Sequence, residues 1–202
     1  MTVRPDKRAI TSWALYDFAN TIFSMNVISL YFALWVTVDH GGQDILYSLA
    51  LSGSMFAVAI SVPVFGAISD HTGRRRFPLT LLTLIAVVAT ALIGQTSQLA
   101  VGLCLFMTAN YCYQSALVFY NGMLPSIARQ SNVGMVSGYG VALGYVGSIA
   151  GLLLVKPFVA DGGRAAAFLP TAILFLIFAI PCFLFVKDPG PKPFQVDVGQ
   201  AF

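Results

Sequence analysis

Residues 66–76 read Gly66-Ala67-Ile68-Ser69-Asp70-His71-Thr72-Gly73-Arg74-Arg75-Arg76 and separate two long apolar runs. The stretch carries three consecutive arginines, although only 9% of the 202 residues are charged and 57% are hydrophobic. An ordinary soluble domain carries roughly 25% charged residues, so this chain is too apolar to build a water-soluble surface. We therefore interpret residues 66–76 as a loop at the surface of a membrane.

Apolar runs long enough to cross a bilayer, about 20 residues as helix, recur on both sides of this loop. The connector 94–98 has to be a tight turn, because unpaired backbone groups in lipid are costly. The sequence predicts an all-α membrane protein with an N-terminus at 1–11, a transmembrane bundle at 12–186, and a tail or the start of an interdomain linker at 187–202. The six predicted spans lie near 12–38, 45–68, 79–97, 99–120, 133–155 and 165–186.

The positive charges divide unequally between the two sets of connectors. Nine lysines and arginines fall on the side that holds both chain ends, and two, Lys156 and Arg164, fall on the other side. Cytoplasmic loops are the ones enriched in Lys and Arg, so we expect both termini in the cytoplasm. We expect a multi-pass protein of the bacterial inner (plasma) membrane.

The reactive residue types favour no catalytic chemistry. All three cysteines fall inside predicted spans and predict no disulfide: Cys104, Cys112 and Cys182. His40 and His71 are both in loops, and no cluster of His, Asp and Glu lies at catalytic depth. Gly73 lacks the spacing of a phosphate-binding loop. We therefore expect no enzyme activity, no metal site, no cofactor and no nucleic-acid partner; the expected partners are the lipid bilayer and a small solute.

The first and fourth spans are the most polar, and each opens a group of three spans. Their polar residues are Asp17, Asn20, Thr21, Ser24, Asn26 and Ser29 in the first span, and Thr108, Asn110, Gln114, Ser115 and Asn121 in the fourth. Matching polar helices at corresponding positions predict two inverted three-helix repeats, with the polar pair lining a cavity near the membrane midplane.

The loop at 66–76 resembles the signature of the major facilitator superfamily in residue type, in spacing and in position between the second and third spans. The matching residues are Gly66, Asp70, Gly73, Arg74 and Arg75, whereas His71 stands where Arg or Lys is usual. The resemblance implies one half of a major-facilitator fold, with a loop that latches two six-helix halves together on the cytoplasmic side. The alternative is a plain basic loop that only sets the topology.

The residue types of this loop also have physical roles of their own. Gly66 is expected to let a neighbouring backbone approach closely, and Gly73 is expected to permit a tight turn. Asp70 can accept charge-assisted hydrogen bonds from an arginine or lie at a helix N-terminus. The arginines at 74–76 would hold the loop at the anionic inner leaflet.

Three further strings are similar to the vacuole-effluxer branch of the superfamily. They read Ser12-Trp13-Ala14-Leu15-Tyr16-Asp17-Phe18-Ala19-Asn20, Tyr120-Asn121-Gly122-Met123-Leu124-Pro125-Ser126-Ile127-Ala128 and Ser137-Gly138-Tyr139-Gly140-Val141-Ala142-Leu143-Gly144-Tyr145. Fungal members of this branch are autophagy-related vacuolar amino-acid exporters, so the resemblance implies amino acids as the leading substrate class. Met123 and Ser126 stand where Phe or Leu and Asp are more usual.

Asp17 is the only carboxylate predicted inside a span, and it is a functional candidate because exposing it to lipid is costly. With Asn20, Thr21 and Ser24 it forms one helical face of the kind that lines a cavity. Three roles remain open for Asp17: a gate or structural ion pair, for instance with Arg129; direct proton coupling; and capping of the helix end.

Asn110, Gln114 and Asn121 lie on one side of the fourth span. Neutral amides offer donors and acceptors without a fixed charge, which suits a polar or zwitterionic solute. Amides also hold helices together in lipid, so the sequence leaves substrate binding and helix packing equally open. With Asn20 and Ser24 of the first span, these residues form the candidate substrate cavity.

The fifth span carries three pairs of glycines four residues apart: Gly134/Gly138, Gly140/Gly144 and Gly147/Gly151. Small residues at this spacing let helices cross closely, and tight packing is the favoured interpretation. The functional alternative is a smooth face that lets helices slide during transport.

A complete transporter of this family holds its substrate between two six-helix bundles, and the resemblance covers one of them. We expect a homodimer or pairing with a second six-helix half, because two copies with parallel topology would reproduce the arrangement of the halves. The predicted function is secondary active transport of a small polar solute by alternating access. The alternatives are a non-transporting scaffold or regulatory subunit, and an inactive N-terminal fragment of a twelve-helix transporter.

Overall fold

The structure, a computed structural model, describes residues 6–188 and 190. Every regular element within these residues is helical, and six helices are long and apolar enough to cross a membrane. They are α1 (Lys7–Asp39), α2 (Asp44–Thr72), α3 (Arg76–Ile93), α4 (Leu99–Ile127), α5 (Val133–Gly162) and α6 (Arg164–Phe185). The predicted all-α fold with six spanning helices is confirmed.

Several helices continue past the predicted apolar spans. Helix α1 begins at Lys7, α4 reaches Ile127 and α5 reaches Gly162. A helix can extend beyond the hydrocarbon layer, so the predicted span boundaries stay predictions. The predicted tail or linker at 187–202 and the first five residues of the predicted N-terminus fall almost entirely outside the described residues.

Aromatic rings fix the relative direction of α1 and α4. As residue numbers rise along α1, the numbers of the facing residues on α4 fall, so the two helices run antiparallel. The ring pairs, with their centroid separations, are Trp13 on Tyr120 (4.6 Å), Phe23 on Tyr113 (4.6 Å) and Phe32 on Phe106 (4.1 Å). This aromatic ladder is the centre of the buried core.

The packing of the helices repeats within the chain. Helix α1 packs on α5 and α6, α4 packs on α2 and α3, and α3 packs on α6. Exchanging α1 with α4, α2 with α5 and α3 with α6 reproduces the same five pairs. Because α1 and α4 run antiparallel, the two three-helix groups are related as an inverted repeat, as the sequence predicts.

Four glycines of α5 lie against α1. A Cβ atom at Gly147 would lie 2.5 Å from the carbonyl oxygen of Phe18, and Gly151 lies against Ile22. Gly140 lies against the indole ring of Trp13, and Gly144 lies against Asp17 and Thr21. The two helices therefore cross at a separation that larger side chains would prevent.

The third glycine pair of α5 differs from the expectation of close packing. A Cβ atom at Gly134 or Gly138 would meet no described atom within 4 Å. At about 100° per residue these two glycines lie more than a quarter turn away from the face that Gly140 to Gly151 present to α1. The four-residue spacing is the same in all three pairs, but only two pairs point at a neighbouring helix.

Helices α2 and α5, which flank α1 and α4, are the least buried of the six. Their exposed large hydrophobic residues are Ile45, Leu49, Met55, Phe56, Ile60, Val64 and Ile68 on α2, and Met135, Tyr139, Val141, Tyr145, Val146, Ile149, Leu153, Leu154 and Phe158 on α5. The repeat thus places two symmetry-related apolar faces at the outside of the bundle.

Candidate functional site

The loop after α2 is shaped by a glycine. Gly73 has φ +65° and follows the last residue of α2, where its N–H donates to the carbonyl oxygen of Ser69 at 3.0 Å. Glycine tolerates this left-handed backbone because it has no Cβ atom, and it commonly ends helices in this way. The predicted tight turn directs the three arginines at 74–76 toward the start of α3.

Arg75 lies at the centre of the loop and is only 6% exposed. Its Nη2 atom lies 3.0 Å from Oδ1 of Asp70, and its Nε atom donates to Oγ of Ser69 at 2.9 Å. Its Nη1 atom donates to the carbonyl oxygen of Gly122 on α4. One guanidinium group therefore ties together the end of α2, the start of α3 and the end of α4.

Asp188, which follows α6, completes this cluster. Its Oδ1 atom accepts hydrogen bonds from the backbone N–H groups of Arg75 and Arg76, both at 2.8 Å. Arg75 is the N-cap residue of α3, and its own side chain does not cap the helix. A carboxylate favours the positive end of a helix dipole, so Asp188 supplies from 112 residues away the cap that the local sequence lacks.

Asp188→Ala is expected to lower the free energy of unfolding by about 1 kcal/mol, the usual value of a side-chain helix cap. The measurement is denaturant unfolding in detergent micelles. Lys187→Ala is the matched control, because Lys187 is the exposed neighbour and is not part of this hydrogen-bonded cap. Equal destabilisation by the two substitutions would show that Asp188 contributes no cap.

The stretch at 66–76 that was predicted as a loop is mostly helix, because α2 continues to Thr72 and includes Gly66 and Asp70. Asp70 and Arg74 are exposed, and Gly66 is half-buried. A Cβ atom at Gly66 would meet nothing within 4 Å, so the expected close approach of a backbone is not made by the described residues. The reason is that Gly66 is one helical turn before Asp70, on the exposed face of α2. These residues lie on a surface that the single bundle leaves uncovered.

The polar face of α1 lies between α4 and α5. Asp17 is half-buried beside Gly144 of α5, and on the other side of the helix Tyr120 and Tyr113 of α4 pack on the rings of Trp13 and Phe23. Ser24, two turns further, lies beside the hydroxyl group of Tyr113. The predicted cavity residue Ser24 and the predicted gate or coupling residue Asp17 thus lie on the stretch of α1 that carries the contacts with these two tyrosines.

Asn20 is the most unusual residue of this face. It is 2% exposed, and neither its Nδ2 nor its Oδ1 atom has a hydrogen-bond partner within the described residues. The hydroxyl group of Tyr120 on α4 is also buried, with no hydrogen-bond partner in the part of the chain that the structure describes. An unmade buried hydrogen bond costs roughly 1–3 kcal/mol, so these groups are suited to a polar occupant such as water or a solute.

Thr21 does not belong to the open part of this face. Its Oγ1 atom donates to the carbonyl oxygen of Gly144 on α5 at 2.6 Å. Asn26, which the sequence only counted among the polar residues of the span, donates from Nδ2 to the carbonyl oxygen of Gly151 at 3.2 Å. Both side chains hold α1 to the face of α5 that carries Gly144 and Gly151. The only sign of this contact in the sequence is that one helix is polar and the other is rich in glycine.

The three amides of α4 are not brought together at one point. Asn110 is fully buried and donates from Nδ2 to Oγ of Ser54 on α2 at 2.7 Å. Gln114 is half-buried, and Asn121 is exposed beside Gly122 at the end of α4. The geometry therefore favours helix packing for Asn110, and it does not bring Asn121 into one pocket with Asn20.

Asn110→Ala and Ser54→Ala are expected to show a coupling free energy of about 0.6 kcal/mol in a double-mutant cycle, as is typical of hydrogen bonds between helices in a membrane. The measurement is the unfolding free energy of the two single variants and of the double variant. Strictly additive effects would contradict the bond between α2 and α4.

Comparison with known proteins agrees with this architecture. The family model described as Major Facilitator Superfamily matches residues 18–201. An uncharacterized protein of Aquifex aeolicus (strain VF5) is 34% identical over 197 residues, which cover 94% of this chain and 49% of that protein. A protein of Bacillus subtilis (strain 168), named uncharacterized MFS-type transporter YxiO, is 29% identical over 190 residues, which cover 84% of this chain and 44% of that protein.

The chain spans about half the length of the curated relatives it matches. Six apolar helices and the family match make it an integral, multi-pass membrane protein of a transporter family rather than of an enzyme family. The signature loop is present and is folded around the buried guanidinium group of Arg75. With a match that extends over residues 18–201, this chain belongs to the major facilitator superfamily.

Proposed function

We propose that this chain forms one half of a secondary active transporter, which moves a small polar solute across the bacterial inner membrane by alternating access with both termini in the cytoplasm. The observation that carries the proposal is the buried amide of Asn20 on α1, for which the described residues offer no hydrogen-bond partner. A scaffold has no need to keep unpaired polar groups in a membrane core, where they are costly.

The chemistry of the polar face of α1 and of the facing tyrosines of α4 suits a neutral or zwitterionic solute. Asn20 and the hydroxyl groups of Ser24, Tyr113 and Tyr120 can each donate and accept hydrogen bonds. Asp17 adds one carboxylate, which can pair with an ammonium group or take up a coupled proton. Amino acids are the leading class, because the strings at 12–20, 120–128 and 137–145 resemble the vacuole-effluxer branch.

We propose that a second six-helix bundle covers the exposed faces of α2 and α5, and that a second copy of this chain can supply it about a two-fold axis along the membrane normal. Two observations support a second bundle: the relatives are about twice as long, and Gly66 and Asp70 share an uncovered face of α2. The mass of the protein in lipid nanodiscs tests the second copy. Transport by a single-copy, monodisperse species would contradict it.

Uptake into proteoliposomes, measured for a panel of amino acids with and without a pH gradient, tests the transport function. At least one solute is expected to enter, and Asn20→Ala is expected to raise its KM by about tenfold, as the loss of one or two buried hydrogen bonds predicts. Ser29→Ala is the matched control, because Ser29 lies on the same helix but is exposed.

Two outcomes would contradict the proposal. If folded, correctly inserted protein moved no solute of the panel, the scaffold alternative would be favoured. If uptake were found but were equally changed by Asn20→Ala and Ser29→Ala, the polar face of α1 would not be the solute site.

A further inference from the structure

A groove lies between α1 and α6 at the end of the bundle where α1 begins and α6 ends. It has a volume of about 400 Å³ and is open to the surroundings. Toward the middle of the bundle, the rings of Phe18 and Phe178 pack at a centroid separation of 4.6 Å, so the two helices are in contact there. The α1–α6 groove lies between this contact and the ends of the two helices.

The polar residues of the α1–α6 groove all come from the first two turns of α1. They are Lys7, Arg8, Thr11 and Ser12. Neither Lys7 nor Arg8 forms an ion pair with a carboxylate of the described residues. Asp6, the neighbouring carboxylate, accepts a hydrogen bond from the backbone N–H group of Arg8 at 2.9 Å and caps the helix. The charges of both cations are therefore available to an anion in the groove.

The hydroxyl groups of Thr11 and Ser12 are available in the same way. Neither of them takes part in a hydrogen bond within the described part of the chain. Thr11 is exposed, whereas Ser12 is only 5% exposed and still lines the groove. A buried hydroxyl group without a partner is costly, so Ser12 is suited to donate a hydrogen bond to an acceptor that enters the groove.

The remaining walls of the α1–α6 groove are apolar. They are formed by Leu15, about two turns further along α1, and by Pro181 and Phe185 of α6. At about 1.5 Å per residue, Leu15 lies roughly 10 Å deeper than Arg8 along the helix axis. The groove thus offers cations and hydroxyl groups near the membrane surface and an apolar surface toward the hydrocarbon layer, which matches the headgroup and the acyl chains of a phospholipid.

The simpler explanation of the two cations is that they only set the topology of the chain. That explanation accounts for Lys7 and Arg8, but it gives no role to the buried hydroxyl group of Ser12 or to the apolar walls beside it. The charge asymmetry predicts that this end of the bundle faces the cytoplasm, and the cytoplasmic leaflet carries anionic lipids. The complementary charge therefore favours an anionic lipid as the occupant.

We propose that the α1–α6 groove is a binding site for one anionic phospholipid of the inner leaflet. Its phosphate group lies beside Lys7 and Arg8 and accepts a hydrogen bond from Ser12. One of its acyl chains lies on Leu15 and Phe185. The bound lipid contacts both helices and so joins the start of α1 to the end of α6.

The test titrates delipidated protein in detergent with dioleoyl phosphatidylglycerol or with the zwitterionic dioleoyl phosphatidylcholine, and native mass spectrometry counts the bound lipids. One phosphatidylglycerol is expected to bind with about tenfold higher affinity than phosphatidylcholine. In Lys7→Gln/Arg8→Gln that affinity is expected to fall about thirtyfold, because each basic residue near an anionic lipid accounts for about fivefold.

Arg74→Gln/Lys187→Gln is the matched control for the loss of charge. It removes two positive charges from exposed residues at the same end of the bundle, and neither residue lines the groove. It should lower the affinity for phosphatidylglycerol by less than about threefold, because charges outside the site are screened. Equal losses in the two double variants would mean that net charge alone attracts the lipid, and would overturn the proposal.

Thr11→Trp separates binding within the groove from attraction to the cations. Thr11 is exposed, so the substitution leaves the core intact, whereas the indole ring would fill part of the groove and both cations would remain. The affinity for phosphatidylglycerol is expected to fall about tenfold, as overfilling a packed site predicts. Unchanged affinity in Thr11→Trp, or equal affinity of the wild type for the two lipids, would overturn the proposal. These measurements do not depend on transport, so they stand or fail apart from the proposed function.

Discussion

Gly147→Ala is expected to lower the free energy of unfolding by about 3 kcal/mol, at the upper end of the cost of overpacking a core. The added methyl group would lie 2.5 Å from the carbonyl oxygen of Phe18 and 2.6 Å from Oγ1 of Thr21. The first of these atoms is backbone, so α1 as a whole has to move away from α5. That movement would also strain the hydrogen bond from Thr21 to Gly144.

Thermal unfolding in detergent, followed by a thiol-reactive dye that labels the buried residues Cys112 and Cys182 as they become exposed, measures this effect. Gly138→Ala is the matched control on the same helix, because its methyl group would meet no described atom within 4 Å. It should change the stability by less than about 0.5 kcal/mol. Equal losses in the two variants would mean that α1 and α5 do not cross closely at Gly147.

Asp17→Asn is expected to abolish accumulation driven by a pH gradient while leaving downhill exchange of solute intact. Asparagine keeps the size and the polarity of the side chain but cannot bind and release a proton. A gradient of one pH unit corresponds to 1.36 kcal/mol, so coupling to one proton allows about a tenfold accumulation, which the variant should lose. Uptake into proteoliposomes with an imposed pH gradient gives this ratio.

Asp44→Asn serves as the control, because Asp44 is an exposed carboxylate at the start of α2. It should accumulate solute as the wild type does. Full gradient-driven uptake by Asp17→Asn would exclude direct proton coupling as the role of Asp17. The gate or ion pair and the helix cap would then remain as its possible roles. Loss of exchange as well as accumulation would indicate that Asp17 contacts the solute.

Much of the fold could be read from the sequence because lipid permits few alternatives. A chain with 9% charged residues and long apolar runs has to satisfy its backbone hydrogen bonds within helices. The polar residues of α1 and α4 also indicated that these two helices occupy equivalent positions in the two three-helix repeats. The signature at 66–76 indicated the family, and the match over residues 18–201 agrees with it.

The direction of individual side chains was harder to predict. Thr21 shares a face with Asp17 and Asn20 by helical periodicity, but its hydroxyl group bonds to the carbonyl oxygen of Gly144. Four-residue spacing grouped Gly134 and Gly138 with the packing glycines, although they point away from α1. Periodicity gives the relative angle of residues on one helix, and it does not say where the neighbouring helix lies.

Contacts between distant parts of the chain could not be predicted at all. Asp188 caps α3 from 112 residues away in the sequence, and Asn110 donates a hydrogen bond to Ser54, which is 56 residues away. Nothing in the sequence near Asp188 or near Ser54 identifies the residue that it contacts. Only the packing of α6 beside α3 and of α2 beside α4 brings these groups together.

The central claim is that the face of α1 with Asp17, Asn20 and Ser24 lines an aqueous path for solute. Its most direct test is the labelling of Ser24→Cys by a membrane-impermeant thiol reagent, in a background without Cys104, Cys112 and Cys182. Ile22→Cys is the control, because Ile22 is fully buried against Gly151. The account predicts that the cysteine at position 24 reacts and is protected by a transported solute, whereas the one at position 22 does not react. Failure of position 24 to react from either side of the membrane, in folded protein, would contradict it.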